Sequence, residues 1–97
     1  ILKRIIFLIF VIFTSCTSTE IPELTSGEEV YTARCSACHG SDFSGRVGPS
    51  LKADSNAAQM SDSYWVQTIT KGMGSMPAQR LTDNEVTLVI EFIKSQY

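Results

Sequence analysis

The chain has 97 residues, 43% hydrophobic and 19% charged, with a formal net charge of −2. That is room for one small domain. An acidic balance of ten Asp and Glu against eight Lys and Arg argues against a nucleic-acid partner, which needs a basic surface.

Lys3 and Arg4 precede an unbroken apolar run from Ile5 to Phe13, far short of the roughly 20 residues that span a bilayer as a helix. A basic start, a short apolar stretch and small residues after it describe a secretory signal over residues 1–15. With no initial Met, that signal is expected to begin slightly before Ile1. Phe13-Thr14-Ser15-Cys16 resembles the bacterial lipobox, with Phe13 where Leu is usual. Cys16 is therefore expected to carry lipid, become the new N-terminus and hold the chain to a membrane. Cleavage near Cys16 without lipid, or a short uncleaved anchor, are the plainer alternatives. The expected location is outside the cytoplasm, in the periplasm or on the outer face of a bacterial membrane. Losing Lys3 and Arg4 would leave six basic against ten acidic residues, a net charge of −4. Residues 16–25, polar and containing Pro22, read as the lipidated end and a flexible tether. It reaches at most about 3.5 Å per residue. The domain is expected over residues 26–97.

Ser26-Gly27-Glu28-Glu29 has the spacing of a capping box and opens a helix through Val30, Tyr31 and Arg34 toward Cys35. There the chain reads Cys35-Ser36-Ala37-Cys38-His39, the signature of covalent haem attachment. Two cysteines at this spacing can each add a sulfur across a haem vinyl group, and the next residue is then held beneath the iron as an axial ligand. Other chemistries fit less well. Zinc would want four ligands, and with Cys16 far away the site is one short unless a carboxylate joins. A thioredoxin-like pair would follow a strand in a βαβ pattern, and none surrounds these cysteines. A disulfide between them would close a very small, strained loop.

Residues 40–60 are rich in Gly, Ser, Asp and Pro and read as loop, with at most one short helix near Ala57. Ser61 caps a helix whose Tyr64, Trp65, Thr68 and Ile69 share one face. It stops at Lys71-Gly72. A Gly-Met-Gly-Ser-Met-Pro loop follows. Thr82-Asp83-Asn84-Glu85 is a second capping box, opening a helix with Val86, Val89, Ile90 and Ile93 on its apolar face and Phe92 beside them. Nothing reads as a paired strand, so the fold class is all-α. About 70 helical residues make a marginal core alone, and a flat apolar haem would supply what the side chains lack.

A ligand opposite His39 must come from another residue type, since the chain has no second histidine. A methionine thioether is the natural candidate. Met76 is favoured because it lies in a glycine-punctuated loop stiffened by Pro77. Met73 in the same loop is the main rival, and Met60 would have to reach in from a helix edge. Any of the three could instead fill core space, the commoner fate of methionine.

Taken together, these residues resemble the class I cytochrome c family over almost all of residues 26–97. Gly27 and Tyr31 match the glycine and aromatic of the family's first helix, which crosses the last. Cys35, Cys38, His39 and Gly40 match the attachment motif. Gly48-Pro49-Ser50-Leu51 matches the segment whose proline carbonyl accepts a hydrogen bond from the iron-bound histidine. Gly72 through Met76-Pro77 matches the distal-ligand loop, and Phe92 stands where the last helix has its aromatic. The resemblance implies a cytochrome c fold, three to four helices around one covalent haem c with His39 and Met76 on the iron. It implies a single-electron carrier rather than an enzyme, meeting redox partner proteins such as a terminal oxidase or a dehydrogenase. Arg46, Tyr64 and Trp65 are candidates to reach the haem propionates, with an exposed arginine and core packing as the plainer alternatives. Two other functions stand beside the carrier: an accessory haem subunit of a larger redox enzyme, and a haem-based ligand sensor or peroxidase. No further histidine or arginine cluster supports the last.

Overall fold

The computed structural model describes residues 22–97; the expected signal over 1–15 and Cys16 lie outside the described residues. Among the described residues there are four α-helices and no strand: α1 (Gly27–Arg34), α2 (Ser36–His39), α3 (Asp62–Lys71) and α4 (Asp83–Lys94). A single 3₁₀ turn, Ala57–Gln59, interrupts the long loop between α2 and α3, where the sequence pointed to a short helix. None of these helices is long and apolar enough to cross a membrane.

The caps do what their side chains allow. At α4 both arms of the capping box form: Glu85 N–H donates to Thr82 Oγ1 at 3.1 Å, and Thr82 N–H donates to Glu85 Oε1 at 2.9 Å. Ser61 caps α3, accepting from the Tyr64 N–H, and Gly72 ends it. At α1 one arm of the expected box is redirected. Ser26 Oγ accepts from the Glu29 N–H at 3.2 Å, but the Glu29 carboxylate accepts from the N–H and hydroxyl of Thr25 instead of returning to Ser26.

Residues 23–25, read from the sequence as the end of the tether, are hydrogen-bonded to the folded part. The second oxygen of Glu85 accepts from the Leu24 N–H at 3.1 Å, Thr82 Oγ1 donates to Glu23, and Leu24 packs on the core. The Glu85 carboxylate, buried among these donors, is held below the ordinary glutamate range. The Thr82 N–H is the main cause and the Leu24 N–H the second.

Burial of apolar faces joins the helices. Val30 and Tyr31 of α1, Trp65 and Ile69 of α3, and Val86, Val89, Ile90 and Ile93 of α4 form one buried cluster with Leu51 from the loop. The crossing of α1 over α4 depends on Gly27. A Cβ there would lie 2.5 Å from Phe92 Cβ and closer still to the Leu88 carbonyl oxygen, so no side chain fits between the backbones. Tyr31 stacks on Phe43 with ring centroids 4.3 Å apart, and Phe92 completes the trio. Lys94 ties α4 to α3 by pairing with Asp62 and lying over the Trp65 ring.

Candidate cofactor site

The motif Cys35–His39 forms its own turn of helix. The chain breaks at Cys35 (φ −122°, ψ −39°) and α2 restarts with His39 N–H donating to the Cys35 carbonyl at 3.0 Å. Residues three and four apart on a helix share a face, so Cys35, Cys38 and His39 open onto one cavity of about 280 Å³.

His39 is fixed from several sides. It is only 7% exposed. Its Nδ1 lies 2.8 Å from the Pro49 carbonyl oxygen. A carbonyl oxygen only accepts, so Nδ1 carries a hydrogen; in the neutral imidazole that arrangement leaves the lone pair on Nε2, as metal binding needs. Gly48 lies flat against the ring: a Cβ there would come within 2.8 Å of Cε1 and 3.0 Å of Nδ1. The backbone repeats the clamp. Gly48 N–H donates to the Cys38 carbonyl and Gly45 N–H to the His39 carbonyl, at 2.8 and 2.7 Å. Tyr31 Oη donates to the Gly40 carbonyl at 2.5 Å, tying α1 to the end of α2. Burial, then the neighbouring Cys35 and Asp42, pushes the Tyr31 phenol up to about 12. Burial, then Cys38, likewise pushes the Cys35 thiol up to about 11.

Beyond the end of α3 the chain makes a two-residue turn. Met73 and Met76 exchange backbone hydrogen bonds of 3.0 and 2.9 Å across Gly74-Ser75. Both methionines line the cavity. Met76 is half-buried against the core; Met73 is 50% exposed, and its sulfur accepts a hydrogen bond from Tyr64 Oη at 3.1 Å. Met60 is 41% exposed and is not part of the lining.

Of the residues nominated from the sequence, Cys35, Cys38, His39, Pro49, Tyr64, Trp65 and Met76 meet at this cavity. Arg46 does not. Its N–H donates to the Gly48 carbonyl in a tight turn and its side chain is exposed. The cation on the lining is Arg34, which the sequence reading passed over although it directly precedes the motif. Trp65 packs in the core, 5% exposed, and its ring N–H is already given to the Ala57 carbonyl at 2.9 Å. Thr68, read only as part of an apolar face, lines the cavity with a buried hydroxyl that has no partner.

The donor set suits haem. An imidazole whose Nδ1 is engaged by Pro49, thioether sulfurs, two thiols on one helical turn and apolar walls of Leu51, Ile69 and Ile93 surround one space. The zinc alternative gains no support, since among the described residues no group of three or more His, Cys, Asp or Glu is placed so that it could hold a metal ion.

A family model described as "Cytochrome C oxidase, cbb3-type, subunit III" matches residues 22–93. The chain belongs to this cytochrome c family. The all-α cytochrome c fold expected from the sequence is the one observed, and covalently bound haem c is the family's cofactor. Among curated relatives, cytochrome c-551 of Bacillus subtilis (strain 168) is 32% identical over 73 residues, covering 74% of this chain and 62% of that protein. Cytochrome c-550 of the same organism is 33% identical over 69 residues, covering 70% of this chain and 55% of that protein. The matches thus span little more than half of each relative's own length.

Proposed function

We propose that this domain carries single electrons on one haem c, joined through Cys35 and Cys38, with His39 and Met76 as the axial ligands of the iron. The observation that carries this reading is the meeting of both cysteines, of His39 with its Nδ1 engaged by Pro49, and of the half-buried Met76 at one apolar cavity. Bound there, haem supplies a one-electron couple, and a thioether opposite an imidazole raises its potential.

The chain's own residues set the terms. Pro49 fixes the tautomer and plane of His39 through its carbonyl. Gly48 lets the loop backbone lie against the ring. The turn at Gly74-Ser75 brings Met76 to the cavity, and Pro77 follows it directly. Arg34 is the cation available to a carboxylate at the cavity edge. If His39 and Met76 both hold the iron, no position would be left on it for a substrate, which is the basis for reading a carrier rather than an enzyme. Docking to a donor and an acceptor is then brief and modest in area, as redox encounters are. A signal over residues 1–15, lipid on Cys16 and a position on the outer face of a bacterial membrane complete the proposal. Such an anchor would raise the carrier's effective concentration at a membrane-bound oxidase or dehydrogenase.

A second reading, a haem subunit permanently bound to a larger redox enzyme, is favoured by the description of the matching family model, which names an oxidase subunit.

The test is spectroscopic. The oxidised protein should show the near-infrared methionine–iron charge-transfer band, and Met76→Ala should lack it. A band that survives in the variant identifies another ligand. Carbon monoxide added to the reduced protein should not bind readily at neutral pH; ready binding would favour a ligand sensor instead.

A further inference from the structure

We infer that Tyr64 is a positioning residue for the distal loop, acting through Met73. This rests on the proposal that Met76 is the iron's second ligand. Tyr64 Oη donates to Met73 Sδ at 3.1 Å. Met73 and Met76 are the two ends of one narrow turn and share two backbone hydrogen bonds, of 3.0 and 2.9 Å. Where Met73 sits therefore fixes where the Met76 backbone sits.

The first end of that turn has little else to hold it. Met73 is 50% exposed among the protein's own atoms, and the backbone bond just before it is that of Gly72 N–H to the Thr68 carbonyl. Glycines flank it on both sides, Gly72 at φ +79° and Gly74 at φ +55°. The tyrosine, by contrast, stands on a fixed base. The next residue, Trp65, is 5% exposed and bonded through its ring N–H to Ala57. Lys94 covers the same indole while pairing with Asp62 at the start of α3. The phenol thus reaches from an anchored helix to a loosely packed loop. A thioether is a weak acceptor, but this bond is made where few other restraints act. It also gives separate tasks to the two methionines of the loop: Met73 fastens, Met76 ligates.

The assay is displacement of the methionine by added imidazole in the oxidised holoprotein, followed by loss of the charge-transfer band. Tyr64→Phe keeps the ring and removes the hydroxyl. Met73→Leu keeps the bulk and removes the sulfur, a volume-conserving change that proteins tolerate well. Each is expected to tighten apparent imidazole binding roughly two- to tenfold, the equilibrium worth of one net intramolecular hydrogen bond. The double variant should show no more than either single, because both remove the same bond.

Three outcomes overturn the inference. One is a Tyr64→Phe protein that binds imidazole like the wild type. Another is an effect of Tyr64→Phe that Met73→Leu does not reproduce, which would mean the hydroxyl acts on another group, such as a haem carboxylate. The third is additive effects in the double variant. Met73→Leu leaves α3 untouched and so decides the matter should Tyr64→Phe fail to fold. Failure of the underlying ligand proposal looks different: the wild type would then lack the charge-transfer band before any imidazole is added.

Discussion

Replacing Gly27 with alanine tests the crossing on which this fold depends. The added methyl would sit 2.5 Å from Phe92 Cβ and closer still to the Leu88 carbonyl oxygen. Neither obstacle is the far end of a flexible side chain, so relief requires α1 and α4 to separate. Separation loosens Val30 and Val89, both fully buried. Overpacking of this kind costs about 1–3 kcal/mol. Alanine is preferred to glycine by about 1 kcal/mol in a helix interior, but Gly27 is the first residue of α1, where that preference is only partly felt. A net loss of about 2 kcal/mol remains. For a domain of this size, about 2 kcal/mol lowers the thermal midpoint by roughly 8–16 °C and the urea midpoint by about 1–2 M. The measurement is urea unfolding of the holoprotein by far-ultraviolet circular dichroism. Glu28→Ala, next in sequence and exposed, is the control and should stay within about 0.5 kcal/mol of wild type. A Gly27→Ala protein as stable as that control would refute the close approach of α1 and α4.

Two further predictions concern titrating groups. Tyr31→Phe removes the hydrogen bond to the Gly40 carbonyl and should cost about 1 kcal/mol. Burial is the main cause that holds the folded phenol above its ordinary 10.0, so the wild-type advantage is complete below pH 10 and shrinks as pH rises from there toward 12. Unfolding midpoints of both proteins across that range check it, and a gap that stays constant to pH 12 contradicts it. Glu85→Gln removes the carboxylate that accepts from Thr82 and Leu24. The folded carboxyl is held below its ordinary 4.5, so its stabilisation is present above that pH and lost as pH falls through the lowered value. Wild type should exceed the variant at neutral pH and converge with it in acid; parallel stability curves from pH 7 to 3 would contradict this.

What the sequence made legible was local. Ser26, Ser61 and Thr82 announce helix starts because a cap is a bond between residues three apart, and Gly72 marks the end of α3 by the same kind of nearby geometry. The cofactor motif could be read for a similar reason: its chemistry fits on one helical turn. Contacts between distant parts of the chain left no such trace. Leu24 N–H meets Glu85 across 61 positions, and Glu23 meets Thr82 across 59, so a segment that looks like polar tether is partly docked. Glu29 could have returned to Ser26 but accepts from Thr25 instead. Arg46 looked well placed beside Gly48-Pro49, yet the turn closed by its own N–H on the Gly48 carbonyl leaves its side chain exposed. Tyr64 and Met73 meet only because α3 ends at Gly72 and the chain turns back there.

The two sides of the site are built to different strengths. His39 is held by backbone: Pro49 accepts from its ring, Gly48 lies against it, and the loop donates to the carbonyls of Cys38 and His39. Tyr31 closes the same region from α1. A side chain whose surroundings are locked by packing and hydrogen bonds keeps its geometry, so the imidazole, if it ligates iron as proposed, would have little reason to move with the metal's charge. The methionine side has a two-residue turn, Met76 against the core, the Gln79 N–H on the Ile69 carbonyl beyond it, and at its outer end a half-exposed Met73 with one bond to a weak acceptor. Segments with few buried contacts and exposed hydrogen bonds open at the lowest free energy. The difference gives an order to events: under heat or competing ligands the methionine side should yield first, and, if the proposed attachment holds, His39 and the two cysteines would keep the cofactor in place. Loss of the proposed methionine ligand would disturb the part of the core that lines the cavity, Leu51, Trp65, Ile69 and Ile93, and leave Val30, Val86 and Val89, which lie outside that wall, to hold α1 against α4.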